Sequence, residues 1–335
     1  MPGPARIRTP VKLTDVAAAA GVAPMTVSRV INAPELVSAE TAHRVREAIT
    51  RLGYVPNLVA GGLSSRRSRM VAAIVPTIAH PMFTGMVQSF TDTLRDAGYQ
   101  VMLSLSGYTE ANEDDLVRAL LGRRPDAILL TGTEHAESTR QMLGEAAIPV
   151  VEIWDVTPRP IDLLVGFDHA QVGAAVAETL LAKGHDVFAA FAAGDARALL
   201  RRRGFTDAIR RAGATLLAES TLPAPSTITA GREALRGLLP TLPKRLALFC
   251  SSDLLAFGAI TEALLHGIAV PDQLAVCGFG NFELSAASEP PFTTVNVEGS
   301  SIGQHAASFL LERLNGRSEA RHVHVPFRIV ERQST

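Results

Sequence analysis

The 335-residue chain carries two cysteines, one tryptophan and few aromatic residues of any kind, 5% in all. Cys250 and Cys277 lie in separate apolar runs, LALFCSS and LAVCGF, without CxxC spacing. The lack of that spacing and a reducing cytosol favour two small core residues over a redox pair. None of the nine histidines falls in an HExxH or related spacing, so no metal and no cofactor is expected. No apolar run reaches the roughly 18–20 residues needed to span a bilayer. The opening MPGPARIRTPVK is basic and lacks the apolar stretch of a secretory signal. No membrane partner is expected, and a cytoplasmic location is. GFGNFE has a G-x-G after a strand but no third glycine and comes late in the chain, which argues against a dinucleotide enzyme.

Charge of one sign is scarce only in the average. The net formal charge is −1, yet residues 1–70 hold ten Lys/Arg against four Asp/Glu, and the remainder 22 against 29. A basic nucleic-acid reader joined to a neutral-to-acidic sensor gives this asymmetry; so does a solvated basic tail. Periodicity decides between them. Val16, Ala17, Ala20, Val22, Val27, Val30, Ile49 and Leu52 recur at spacings of three and four, as on the buried faces of short helices. Leu13-Thr14-Asp15 opens a first helix with polar capping residues, and Gly21 supplies a tight turn. Pro24 suits the first position of a second helix, where its missing N–H costs nothing. A third runs from Ser38 to about Leu52 and stops at Gly53. The expectation is a helix-turn-helix head.

From Met70 onward the pattern changes to apolar strands alternating with helical segments. Eleven strands are expected, from VAAIVP through LLVGF, TTVNV and a final HVHVPFRIV, with helices over 82–97, 111–122, 168–184, 200–213, 253–267 and 299–314. Alternation of this kind implies parallel sheets covered on both faces, and eleven strands exceed one comfortable sheet. The fold class expected is thus an all-α head plus an α/β sensor of two parallel-sheet subdomains with a cleft between them.

The run VKLTDVAAAAGVAPMTVSRVINAPELVSAETAHRVREAITRLGYVPNLVAGGLS resembles the DNA-binding head of the lactose/galactose repressor family over some fifty residues. The family shares D-V-A, A-G-V, T-V-S-R-V-[IL]-N and L-G-Y-x-P-N at these spacings, and the likeness continues to the end of the chain. It implies a transcription repressor, not an enzyme, with a periplasmic-binding-protein-like sensor. A solute-binding protein would share that sensor but not the head. The implied division is a head over 1–69 and an effector and dimerisation domain over 70–335. Within the latter, one subdomain takes about 70–166 and 297–321, the other about 167–296 and 322–333.

Physical chemistry gives the head residues their expected roles. Met25 and Arg29 lie one turn apart on one face of the recognition helix that Pro24 begins. Arg29 can pair with guanine, a contact worth about 1–3 kcal/mol, or hold a phosphate; Met25 suits a thymine methyl or base edge. Thr14, Thr26, Ser28 and Asn32 suit phosphate contacts. By resemblance, residues about 57–65 form a hinge helix whose Leu63 wedges into the minor groove. Gly61-Gly62 departs from the family pattern, and a plain flexible linker is the other reading. The implied partners are palindromic operator DNA and a second copy of the chain. No leucine heptads close the sequence, so a dimer and not a tetramer is expected.

For the sensor, the resemblance implies an effector site formed by Met82, Phe83, Trp154, Arg201, Ser252-Asp253 and Gly280-Asn281. Sugar-binding relatives often carry aspartates where Trp154 and Gly280 stand. Their loss, with Arg201 kept, makes the pocket less hostile to an anion. Runs such as MLSLSGY and LLVGFDH resemble the gluconate repressor branch. Gluconate, its carboxylate forked onto Arg201, is the implied effector. Trp154 also reads as an aromatic of the cleft edge, and His80 is the one histidine near the cleft loop.

Overall fold

The computed structural model describes residues 11–55, 67–108, 110–317, 319 and 321–335. The expected hinge helix, Gly61-Gly62 and Leu63 lie outside the described residues. The chain divides into two compact units, residues 1–68 and 69–335.

In the first unit, α1 (Leu13–Ala20), α2 (Pro24–Asn32) and α3 (Ala39–Leu52) pack around a small apolar centre. Val16, Ala17, Ala20, Val27, Val30, Ala42, Val45 and Ala48 are buried, with Leu13, Val22, Ile49 and Leu52 at its margin. Gly21 turns the chain at φ +65°, a backbone conformation that glycine adopts without steric cost. The N–H of Val22 then returns to the Ala17 carbonyl at 3.0 Å. The cap of α1 differs from the expected one. Lys12 holds the capping position, and the Asp15 carboxylate reaches back to accept its N–H at 2.8 Å. Pro24 stands in the first turn of α2 as expected, and Ser38 caps α3 by accepting the Thr41 N–H.

The second unit contains two six-stranded sheets. The first is entirely parallel, ordered β11-β5-β4-β3-β1-β2. Its strands are β1 (Met70–Val75), β2 (Gln100–Leu105), β3 (Ala127–Thr131), β4 (Val150–Ile153), β5 (Leu163–Gly166) and β11 (His322–His324). The second is ordered β12-β10-β9-β8-β6-β7. It comprises β6 (Val187–Ala193), β7 (Thr215–Leu222), β8 (Leu246–Cys250), β9 (Leu274–Phe279), β10 (Thr293–Val297) and β12 (Phe327–Val330). Only β12 runs antiparallel, against β10. Central strands such as β3 and β8 are buried along their length, because helices cover both faces.

The helices are α4 (Pro81–Asp96), α5 (Glu110–Leu121), α6 (Glu137–Ala146), α7 (His169–Ala182), α8 (Ala196–Arg211), α9 (Ile228–Leu238), α10 (Asp253–Leu265), α11 (Glu283–Ala287) and α12 (Gly299–Leu314). Of these, α6, α9 and the short α11 were not expected. The final run HVHVPFRIV is corrected from one strand to two. Pro326 has no N–H to give a ladder, and there the chain leaves the first sheet for the second, so His322–His324 stays with the first lobe. The chain therefore passes between lobes three times: after β5, after β10 and after β11. Phe83, Trp154, Phe167 and Phe279 carry the apolar core across the passage between the lobes, with neighbouring ring centroids 5.7–6.2 Å apart. Among the described residues no helix is long and apolar enough to cross a membrane.

Candidate DNA-reading helix and effector cavity

On α2, Val27 and Val30 face the head core, which turns Pro24, Met25, Arg29 and Asn32 outward. Met25 is 64% exposed. Such exposure of a large apolar side chain on a helix with a separate buried face suits contact with something. Arg29, four residues on, shares its face. Thr26 and Ser28 are half-buried, and Thr14 is exposed in the first turn of α1. Asn32 donates its amide to the Ser28 carbonyl at 3.0 Å and hydroxyl at 3.3 Å, so these two polar groups are held together. The exposed Arg44, Arg46 and Arg51 of α3 add to the positive character of the head.

Between the lobes of the second unit lies a cavity lined by His80, Met82, Phe83, Tyr108, Trp154, His169, Asp195, Arg197, Arg201, Ser226, Ser251 and Ser252. Its walls are strand ends and helix starts, where open α/β sheets bind ligands. Five expected residues meet here: Met82, Phe83, Trp154, Arg201 and Ser252. Arg201 is 3% exposed. Its Nη1 donates to His169 Nδ1 at 2.8 Å and its Nη2 to the Ser251 carbonyl at 3.0 Å. The guanidinium lies 4.0 Å over the Phe279 ring. Burial brings its pKa down to about 10, so it remains a cation at neutral pH.

Three buried polar atoms in this wall have no partner among the described residues: Arg201 Nε, Trp154 Nε1 and His80 Nδ1. Buried polar groups are nearly always paired, and exceptions clustered in one cavity mark where ligand atoms belong. Burial, reinforced by the Arg201 charge, lowers His80 to about 4, and the same causes push His169 well below its ordinary value. Both imidazoles are therefore neutral at pH 7. The charges facing the cavity are then two guanidiniums, Arg197 and Arg201, and one carboxylate, Asp195.

Two expected effector residues are corrected. Asp253 is fully buried behind the wall. Its carboxylate accepts the Phe282 N–H at 2.8 Å and the Thr294 hydroxyl, so it positions the loop after β9 instead of lining the cavity. Asn281 bonds Asn296 through its amide nitrogen, at 3.1 Å, and Arg332 through its oxygen, at 2.8 Å. With Gly280 and Phe282 it lines an adjoining cleft that shares Met82 and Trp154 with the cavity. Each terminal nitrogen of Arg201 already gives one N–H to protein, and Nε is its one nitrogen without a partner among the described residues. Sequence reading missed His169, Asp195 and Arg197, although GDAR follows directly on β6 and so stands at a strand end opening a helix.

Residues 12–57 match the model of the bacterial regulatory proteins of the lacI family, and residues 177–335 that of a periplasmic binding protein-like domain. The chain is 36% identical over 327 residues to the HTH-type transcriptional regulator GntR of Pseudomonas aeruginosa, covering 96% of this chain and 95% of that protein. A lacI-family transcriptional regulator from Silicibacter pomeroyi superposes with a TM-score of 0.90 at 32% identity, over 97% of this chain and 99% of that one. The lac repressor dimer bound to operator superposes at 0.84 and 25% identity, over 97% and 99% of the respective chains. The chain belongs to the lacI family of bacterial regulatory proteins and is a DNA-binding transcriptional regulator, not an enzyme.

Proposed function

We propose that this regulator binds palindromic operator DNA as a homodimer and that a sugar acid, with gluconate as the first choice, controls that binding. The observation that carries the effector reading is Arg201. It is a buried cation without a carboxylate partner among the described residues, in a cavity whose other unpartnered groups suit hydroxyls. A neutral sugar would leave the excess positive charge of that cavity uncompensated, and an anion removes the cost. Likeness to the gluconate repressor branch and to a relative named GntR supports the same choice.

On the DNA side, α2 enters the major groove with Arg29 and Met25 as readers, while Thr14, Thr26, Ser28 and Asn32 face phosphates. Leu63 of the hinge is the proposed minor-groove wedge. Effector and operator then alter each other's affinity by one common factor, as linkage requires. A mobility-shift titration on palindromic DNA, with and without gluconate, tests the whole reading. Arg29→Ala should cost about 1–3 kcal/mol of specific binding, and gluconate should shift the wild-type curve. Heat of binding with a neutral sugar but none with gluconate or other aldonic acids would sink the effector assignment.

A further inference from the structure

We infer that Arg197, not Arg201, takes the carboxylate of the acidic effector, so that the ligand lies with its charged end at the mouth and its hydroxyl chain inward. This rests on the sugar-acid reading above and goes beyond it in naming the residue that distinguishes an acid from the corresponding polyol.

The two arginines stand one turn apart on α8 and are used differently. Arg201 is held on three sides, by His169, by the Ser251 carbonyl and by the Phe279 ring. Each of its terminal nitrogens has already given one N–H to protein, and only Nε has no partner among the described residues. Arg197 is half-buried, with its guanidinium 6.0 Å from the centre of the Phe83 ring. Among the described residues it has no hydrogen bond or ion pair. It lines both the inner cavity and the open cleft beyond it, which Tyr108, Glu134, Asp155 and Asp195 share. Its planar fork is therefore free to meet a carboxylate through two parallel bonds. Placing that carboxylate near solvent also costs less desolvation than burying it beside Arg201.

The inner groups point the same way. Trp154 Nε1 and Arg201 Nε are donors, whereas the neutral His80 offers Nδ1 as donor or acceptor according to tautomer. Hydroxyls both donate and accept, so a polyol chain satisfies this mixture. A carboxylate only accepts.

The test is calorimetric titration of the full-length protein with gluconate and with glucitol, the same chain with CH2OH in place of the carboxylate. The wild type should prefer gluconate by about 10- to 150-fold, the range for hydrogen bonds to a charged group. In Arg197→Gln that ratio should collapse towards one, and in Arg197→Lys, a point charge without the fork, it should be intermediate. Arg201→Lys should weaken both ligands and keep the ratio. If Arg197→Gln binds neither ligand, the Lys variant is read alone, and an undiminished ratio there overturns the assignment. A wild-type preference that survives intact in Arg197→Gln overturns it too, leaving the sugar-acid reading standing. A wild type that binds no aldonic acid overturns both.

Discussion

His169 accepts a hydrogen bond from Arg201 through Nδ1 at 2.8 Å. A guanidinium has no lone pair to offer, so this contact fixes the imidazole as its Nε2–H tautomer. That Nε2–H donates to the Trp154 carbonyl at 2.7 Å. Trp154 itself is in the left-handed region at φ +69°, unusual for a bulky residue. One relay therefore holds a cation, a neutral imidazole and a strained backbone position in a single arrangement around the cavity.

Arg201→Lys breaks that relay, since an ammonium cannot reach His169 and Ser251 with the same planar geometry. Leaving His169 Nδ1 buried and unpaired should cost about 1–3 kcal/mol of stability, read by urea unfolding. The gluconate concentration that alters operator binding should rise at least tenfold, on the order of 1.4 kcal/mol. An unchanged effector response would show that the relay does not shape the site.

Close packing of α7 on α8 sets the height of Arg201. A Cβ on Gly204 would meet the Ala170 carbonyl oxygen at 2.0 Å, and one on Gly173 the Arg201 carbonyl oxygen at 1.9 Å. Gly204→Ala should therefore destabilise by about 1–3 kcal/mol or more and weaken effector binding by tilting α8. Gly144, exposed in α6 with nothing within 4 Å of its Cβ position, is the control. Gly144→Ala should stabilise by about 0.4–1 kcal/mol. Thermal unfolding of the two variants checks the contrast, and similar shifts for both would contradict it.

Effector affinity should rise as pH falls through about 6. Burial raises the Asp155 carboxyl to about 6, against the opposing pull of the Val156 N–H and Arg197. Above that pH its negative charge faces the cleft that admits the anion; below it the charge is gone. An aldonic acid, with a carboxyl near ~3.5–4, stays ionised throughout, and His80, near 4, stays neutral. Calorimetry between pH 7.5 and 5.5 should show a few-fold gain that Asp155→Asn flattens. A profile equally steep in the variant would assign the effect elsewhere.

A second titration belongs to folding. Burial opposes a charge on His135, but Glu113, 2.6 Å from Nδ1, and Glu152, 3.5 Å from Nε2, outweigh it and raise its pKa to about 9. The folded value lies above the unfolded 6.5, so this stabilisation is complete below about pH 6.5 and lost as pH rises through 9. Its ceiling is about 3 kcal/mol, from 1.36 kcal/mol for each pH unit. Urea unfolding at pH 6 and pH 9 should show the decline, and His135→Gln should lack it.

The head was legible from the sequence because its determinants are local. Val16, Ala17 and Ala20, then Val27 and Val30, repeat at helical spacing, Gly21 and Gly53 must turn, and Pro24 must start a helix; none of this depends on distant residues. The strand and helix alternation of the sensor was legible for the same reason, while HVHVPFRIV misled because an apolar run does not say which sheet receives it. The family resemblance supplied Met82, Phe83, Trp154 and Arg201 as effector residues, and all four line the cavity.

What only the tertiary structure decided is which groups face one another. Asp253 and Asn281 stand beside strand ends as well, yet Thr294, Phe282, Asn296 and Arg332 take up their polar atoms and remove them from the cavity. Arg197 and Arg201 look alike in the sequence. Packing gives one of them three protein contacts and leaves the other open. Hydrogen-bond partners drawn from 15 to 51 residues away are set by how helices and sheets come together. Local sequence carries the periodicity that builds those elements, and it carries no record of whose polar atoms will be satisfied once they meet.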